Sequence, residues 1–420
     1  MKTWWKPAIS GLLIFSLLLA GCSGGNEKGT TSDGKRVLKV WGMGAEGTAL
    51  SKLVPDFEAK HPDIKVDVQA IPWDNAHDKL LTAVASRSGP DVVQMGMGWI
   101  PEFAGAGALQ DLTPYMDKYP NLKADNYFEG ARTKMTYEGK TVGVPWYIDT
   151  RVLFYRKDLL KQVGYNEPPK TWDELKDAAK KLAARGNGNY GILLDSKDPL
   201  FTIPFAWENG SEVINSNKQA QLNQPPYVET IQYLSSFFKE GIAPTQSDMQ
   251  LIPSFGEGIL PMFISGPWSV NQVKTELPEL KPDQWGTAVI PPKTAGGESV
   301  SVLGGSNLSV FSTSQNTEAA VQFISYLNDP QVQVKWYELT QDLPSTTKAW
   351  EDKAFDNSPN ISTFRTQMDT ARSTPSVKEW ETIGKQISDA FDQIVVGGAD
   401  IQTQLNQLNE QANSTLQSGN

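Results

Sequence analysis

Cysteine and histidine are nearly missing from this chain, with one and two respectively among 420 residues. A single thiol, Cys22, permits no disulfide framework and leaves the body without thiol chemistry. His61 and His77 are too few for a histidine-built zinc site and argue against a Ser-His-Asp triad. Both are expected to be solvated or satisfied by packing, with His77 on the apolar face of a helix. Positive charge is also short. Lys and Arg number 38 against 48 Asp and Glu, a net charge of −10. Nucleic acid binding needs clustered Lys and Arg against phosphates, so this class is excluded. Long apolar runs are absent too. The longest, residues 9–20, falls short of the roughly 20 apolar residues that span a bilayer. No metal and no cofactor are expected.

That short run is nevertheless informative. Lys2 and Lys6 precede it, and Leu19-Ala20-Gly21-Cys22 closes it. A basic start, a short apolar segment and small residues before a cut site describe a secretory signal over residues 1–21. The tetrapeptide resembles the bacterial lipobox. That resemblance implies cleavage before Cys22, acylation of its thiol with chains such as palmitate, and attachment to the extracytoplasmic face of a membrane. Residues 23–35 contain no aliphatic or aromatic side chain. A Gly/Ser-rich coil of this length reaches about 20 Å, by roughly 5–6 Å × √n. Residues 22–35 are therefore expected to be a flexible tether.

The roughly 385 residues that follow are many for one core and suggest two domains. Their tryptophans are unusual. Trp41-Gly42, Pro72-Trp73, Pro145-Trp146 and Pro267-Trp268 place rings beside turn residues rather than within helical stripes. Rings at element ends can present flat faces to the C–H faces of sugars, with polar side chains around the edge for hydroxyls. Trp172 sits inside a predicted helix and is read as packing. Trp285 and Trp350 carry no site argument.

Strands alternate with helices along the body. Residues 37–41, 64–68 and 91–95 read as strands. Leu50, Leu53, Val54 and Phe57 recur at helical spacing, and Pro55 predicts a kink or an early end there. His77, Leu80, Leu81 and Val84 mark a second helix. Thr171-Trp172-Asp173-Glu174 is a capping box, with Gly186 as the expected stop. Ala320, Phe323, Ile324 and Leu327 predict a further helix, as do Ile383, Ile387, Ala390, Phe391 and Ile394. Residues after Ile401 read as a polar Gln/Asn-rich tail. The alternation implies an α/β architecture with ligands at the carboxyl ends of strands.

Eight segments occur in the order of a known family. They are Trp41-Gly42, Ile71-Pro72-Trp73-Asp74, residues 89–96, residues 143–160, residues 168–175, residues 262–268, residues 304–308 and Asp342-Leu343-Pro344. Over nearly the whole body the chain resembles the extracellular solute-binding proteins of carbohydrate ABC transporters, the group that includes maltose-binding protein. The resemblance implies a two-lobed, periplasmic-binding-protein-like α/β fold with a hinge and an interlobe ligand cleft. It implies an N-terminal lobe of 36–149 plus 297–328 and a C-terminal lobe of 150–296 plus 329–420. It also implies a monomer that delivers an oligosaccharide to permease subunits, anchored on the outer face of the membrane of a Gram-positive bacterium.

Trp268, in Gly-Pro-Trp, matches a sugar-stacking position of the family, and Trp380 matches another. Trp41, Trp73, Trp99, Trp146, Tyr147 and Trp207 fall where relatives contact sugar and would stack. Asp74, Gln94 and Asp149 would hydrogen-bond hydroxyls, with Glu46, Arg151, Ser306 and Asn307 as further polar candidates. The turn 42–47 lacks the Asp-Lys pair of the maltose-binding type, so maltodextrin is not the expected ligand. The stretch 145–151 looks closer to members taking β-linked oligosaccharides derived from chitin, cellulose or xylan. Two other classes stay open at the level of composition. A surface-anchored glycoside hydrolase needs only a tryptophan-lined cleft and two carboxylates. A non-transport surface lipoprotein needs no small ligand, although the repeats or all-β modules common in adhesins are absent.

Overall fold

The computed structural model describes residues 30–418, apart from 187, 199, 246–248 and 356–358. The signal segment and Cys22 lie outside the described residues. The end of the expected tether is folded: Thr31 N–H donates to Lys35 O at 2.8 Å and Gly34 N–H to Thr31 O at 3.0 Å.

Among the described residues twelve strands run in chain order: β1 (Arg36–Met43), β2 (Ile64–Ile71), β3 (Val92–Gly96), β4 (Thr136–Tyr137), β5 (Lys140–Thr141), β6 (Val144–Thr150), β7 (Val152–Arg156), β8 (Met262–Ser265), β9 (Trp285–Ala288), β10 (Ser301–Val310), β11 (Leu343–Pro344) and β12 (Ala371–Ser373). They form a large sheet in the order β11-β6-β10-β3-β1-β2, with β12 beside β10, a small sheet β8-β7-β9, and the hairpin β4-β5. In the large sheet β1 lies parallel to both β2 and β3, while β10 runs antiparallel between β3 and β6. β1 shows why both faces are covered. Leu38 and Val40 enter one apolar cluster, and Trp41 and Met43 pack into another on the opposite side. This is the period-two pattern of a strand buried on both faces.

β6 and β7 are separated by Arg151 alone, yet they belong to different sheets. The chain therefore passes from one sheet to the other within a single residue, and Arg151 stands at the passage. The helices sort accordingly. Pro55 lies in the first turn of the helix Val54–Lys60, where its missing N–H would be unpaired anyway. The expected interruption thus becomes a break between Gly44–Leu50 and Val54–Lys60. Thr171 caps the helix Trp172–Ala183 by accepting from Glu174 N–H at 3.2 Å. Glu174 reaches back to Lys170 N–H at 2.7 Å. Gly186 is not the stop, because the helix closes at Ala184 in right-handed geometry.

Two expectations need correction. The polar tail is the helix Ile401–Ser418, with Leu405, Leu408, Ala412 and Leu416 buried at helical spacing. Its amides also bind, since Asn409 accepts from Leu222 N–H at 2.9 Å and Asn413 from Ala220 N–H at 3.0 Å. The segment 329–420 is also shared between the lobes. β11 and β12 hydrogen-bond into the large sheet, and Trp336 of the helix Pro330–Thr340 lies against Trp146 with ring centroids 4.3 Å apart. The helices Trp380–Val395 and Ile401–Ser418, with Val377 before them, enter the apolar cluster that also holds the helix Pro225–Lys239.

Candidate functional site

Between the sheets lies a cavity of about 590 Å³. Ligand pockets typically run from roughly 300 to 1,000 Å³. One wall comes from the ends of β3, β6 and β10 in the large sheet. Strand alternation selects which residues reach it. Along β6, Tyr147 and Asp149 line the cavity, while Trp146 and Ile148 point into the core beneath. Along β10, Gly304, Gly305 and Ser306 line it. These two glycines are required by close approach. A Cβ on Gly304 would sit 2.5 Å from the Asp149 carboxylate, and one on Gly305, at φ +119°, would sit 2.3 Å from Tyr147 O.

A buried hydrogen-bond network orients this wall. Gln94 accepts from Met43 N–H at 2.7 Å, and its amide N–H groups donate to Tyr147 Oη at 3.0 Å and Ser306 Oγ at 3.1 Å. Ser306 Oγ in turn donates to Tyr147 Oη at 3.0 Å. Tyr147 thus accepts twice, and its own proton is directed to Glu46 Oε1 at 3.4 Å. The Trp73 indole N–H donates to the other Glu46 oxygen at 3.3 Å. Fixed donors and acceptors of this kind specify one geometry because none can relax without leaving a buried partner unpaired.

The aromatic rings come from several elements. Trp73 and Trp99 meet edge to face at 5.6 Å, and His77 and Phe103 continue the cluster behind them. His77 is satisfied by Glu102 at 2.8 Å, and that hydrogen bond raises its pKa despite burial. Opposite stands Trp268, half-buried at the start of the helix Trp268–Glu276. Its ring folds over Gly266, where a Cβ would lie 2.2 Å from the indole. The Arg151 guanidinium lies 4.6 Å from the Trp268 ring centroid and also pairs with Asp149. Trp380 contributes from the helix Trp380–Val395.

The lining carries five carboxylates, Glu46, Asp149, Asp198, Asp342 and Glu381, against the single guanidinium of Arg151. Burial pushes Glu46 upward, with repulsion from Asp149 added, while the hydrogen bonds from Trp73 and Tyr147 oppose it. Asp342 is pushed well above the carboxylate range by burial and by repulsion from Glu46 and Asp149. Burial likewise raises Glu381, with the Trp99 indole as its partner. Tyr147 is held well above its ordinary value by burial and the nearby carboxylates, so it remains a donor. Among the described residues, no group of three or more His, Cys, Asp or Glu side chains could hold a metal ion.

Of the fifteen expected site residues, nine line the cavity: Glu46, Trp73, Trp99, Tyr147, Asp149, Arg151, Trp268, Ser306 and Trp380. Six do not. Trp146 is fully buried against Trp336, because β6 turns it away from its neighbour Tyr147. Trp207 is 7% exposed within the second lobe's core, in a helix buried on all sides. Asn307 faces away from Ser306 and donates to Lys134 O at 2.7 Å. Trp41 lies under Lys79, 4.6 Å from its ring. Asp74 is exposed beside the cavity wall, and Gln94 acts behind it. Sequence reasoning missed Asp342, Glu381, Asp198 and Gln272. Two of these had signals at hand. Asp342 begins the quoted Asp342-Leu343-Pro344 segment, and Glu381 follows Trp380.

A sequence model of the family described as "Bacterial extracellular solute-binding protein" matches residues 42–334. The chain belongs to that family. It is similar to the solved sugar-binding protein MalE from Xanthomonas citri, with 32% identity, a TM-score of 0.82, and 91% of this chain and 98% of that one covered. It is also similar to the solved GacH receptor of Streptomyces glaucescens, studied unliganded and with acarbose, at 26% identity and a TM-score of 0.81, covering 91% and 98%. A third relative is the diacetylchitobiose-binding protein of Streptomyces coelicolor, 26% identical and covering 75% of each chain. The fold is accordingly the two-lobed one of sugar-binding periplasmic proteins.

Proposed function

We propose that this bacterial extracellular solute-binding protein captures an oligosaccharide between its lobes and delivers it to the permease subunits of a carbohydrate ABC transporter. The observation that supports this most directly is the composition of the cleft. Aromatic rings stand on both sides of it, and a fully connected polar network forms one wall. Stacking on Trp268 and Trp380 would take the C–H faces of the sugar, and Tyr147, Asp149, Ser306 and Glu46 its hydroxyls. The lobes would be 36–149 plus 297–328 and 150–296 plus 329–420, with β11, β12 and the helix Pro330–Thr340 of the last segment lying with the first lobe. A ligand touching both walls favours the closed state over the open one, and closure is the signal the permease reads. The chain acts by capture alone, as a monomer, without covalent chemistry. β-linked oligosaccharides are the favoured class. Cys22 carries the lipid anchor, and the body faces outward from a Gram-positive membrane.

The test is titration of the full chain, purified in detergent, with α- and β-linked oligosaccharides of two to five units. Tryptophan fluorescence and melting temperature are followed together. A saturable shift with a rise in melting temperature for one series is expected. No response in any series from a cooperatively folded protein refutes the reading. The cleft carboxylates also give a hydrolase something to work with, so each mixture is assayed for released reducing ends. None is expected. For the anchor, Cys22→Ser should move the protein from the membrane fraction to the medium, and retention in the membrane refutes that assignment.

A further inference from the structure

We propose that the floor of the cleft takes a protonated amino group, so that the captured oligosaccharide is an amino sugar carrying a free amine. This inference rests on the oligosaccharide-receptor reading above. The balance of charge in the cavity motivates it. Five carboxylates face one guanidinium, and Arg151 is already committed to Asp149 and to the face of Trp268. Glu46 is met by neutral donors, its own backbone N–H, the Trp73 indole and the Tyr147 hydroxyl. Asp342 is 4% exposed, and its Oδ2 has no hydrogen-bond partner. Neither of the two has a cationic partner among the described residues. The two repel each other, and Asp149 repels both.

A neutral sugar would meet individual oxygens with hydroxyls and leave both carboxyls in the protonated forms that burial and repulsion favour. An ammonium instead stabilises the ionised forms, because a buried cation offsets the cost of burying and crowding negative charge. A uronate would add to the repulsion. A metal ion is the less suitable counter-charge, because no described group of three or more ligating side chains is arranged to hold one. Burial and mutual repulsion hold Glu46 and Asp342 toward their protonated forms, and an ammonium acts in the opposite sense. Binding of the amine should therefore release protons.

The experiment is calorimetric titration of the full chain with β-1,4-linked glucosamine oligomers of two to five units. Their N-acetylated counterparts and the glucose oligomers of the same linkage differ from them only at C2. α-1,4-linked glucose oligomers complete the panel. Running each titration in buffers of different ionisation enthalpy counts protons released. The expected result is an affinity at least tenfold higher for the amine series, with proton release. Equal or tighter binding of any acetamido or hydroxyl series overturns this inference and leaves the receptor reading standing. Binding by none of the series overturns both. Glu46→Gln should weaken the amine series at least tenfold more than the neutral one, and equal weakening overturns the inference. Asp342 is deeply buried, so Asp342→Asn is used only where its melting curve stays cooperative, with the same expected selectivity.

Discussion

Across the cleft, the wall built by the large sheet and the opposite wall around Trp268 hold their side chains in different ways. On the first, Tyr147, Ser306 and Gln94 are buried and tied to one another and to backbone, so every hydroxyl has one available direction. On the second, Trp268 is half-buried, rests on Gly266 and is faced by the long side chain of Arg151. A network of fully paired buried groups discriminates, because a ligand that mismatches it leaves polar atoms unpaired. A ring backed by a glycine and faced by a guanidinium tolerates different sugars, because stacking uses faces that many share. Selectivity is thus expected from the first wall and general affinity from the second.

Substitutions can break this contrast at graded cost. The largest effect is on folding. Trp146→Ala opens a void beside Trp336 and should cost about 3–5 kcal/mol of stability, measured by denaturant unfolding. Sugar affinity of the fraction that stays folded should change little, and a selective loss of affinity would return Trp146 to the site. Gln94→Leu removes the amide that organises the polar wall. It strands Met43 N–H and frees Tyr147 and Ser306, and a loss of about 1–3 kcal/mol is expected. Discrimination between epimeric sugars should fall with it, and a variant with unaltered discrimination would separate the network from selectivity. Trp268→Ala should weaken every sugar that binds by about tenfold or more with little change in melting temperature. Weakening of only some sugars would mean that the second wall also selects.

Glu208 provides the mildest test, as a buried carboxylate away from the cleft. The Trp172 indole N–H at 2.7 Å and the Val300 backbone N–H at 3.0 Å satisfy it, and burial pushes its pKa up to about 8. Because the folded value lies above the ordinary 4.5, the native state keeps a proton that the unfolded chain releases. Stability should therefore decline as pH rises from about 4.5 toward 8. Glu208→Gln should flatten that decline in melting curves taken across the window. An unchanged slope would assign it to the cleft carboxylates instead.

Most of the scaffold was legible in the chain because local signals and burial agreed. The strand expected over residues 37–41 lies within β1, and the Thr171 capping box matched its helix start. The helix Ile401–Ser418 was hidden by its polar composition, although Leu405, Leu408, Ala412 and Leu416 carried the period. In the site, Trp268 and Trp380 were readable from their turn and motif settings, whereas Trp146 and Trp207 misled for opposite reasons. Proline beside Trp146 suggested a turn where a strand continues. Trp207 belongs to a short helix whose residues 203–207 are all buried, so no amphipathic pattern marks it.

The sequence by itself determined the α/β class, the acidic body, the first three long strands and several helices, and a set of rings and carboxylates suited to sugar. Those follow from composition and periodicity, which act over a few residues. Only the tertiary structure decided which of two adjacent side chains, Trp146 or Tyr147, faces the cleft. Only it brought Glu46, Asp149 and Asp342 close enough to repel one another. Facing depends on which side of a strand other elements cover, and Coulomb repulsion depends on distance through space. Neither quantity is encoded in separation along the chain.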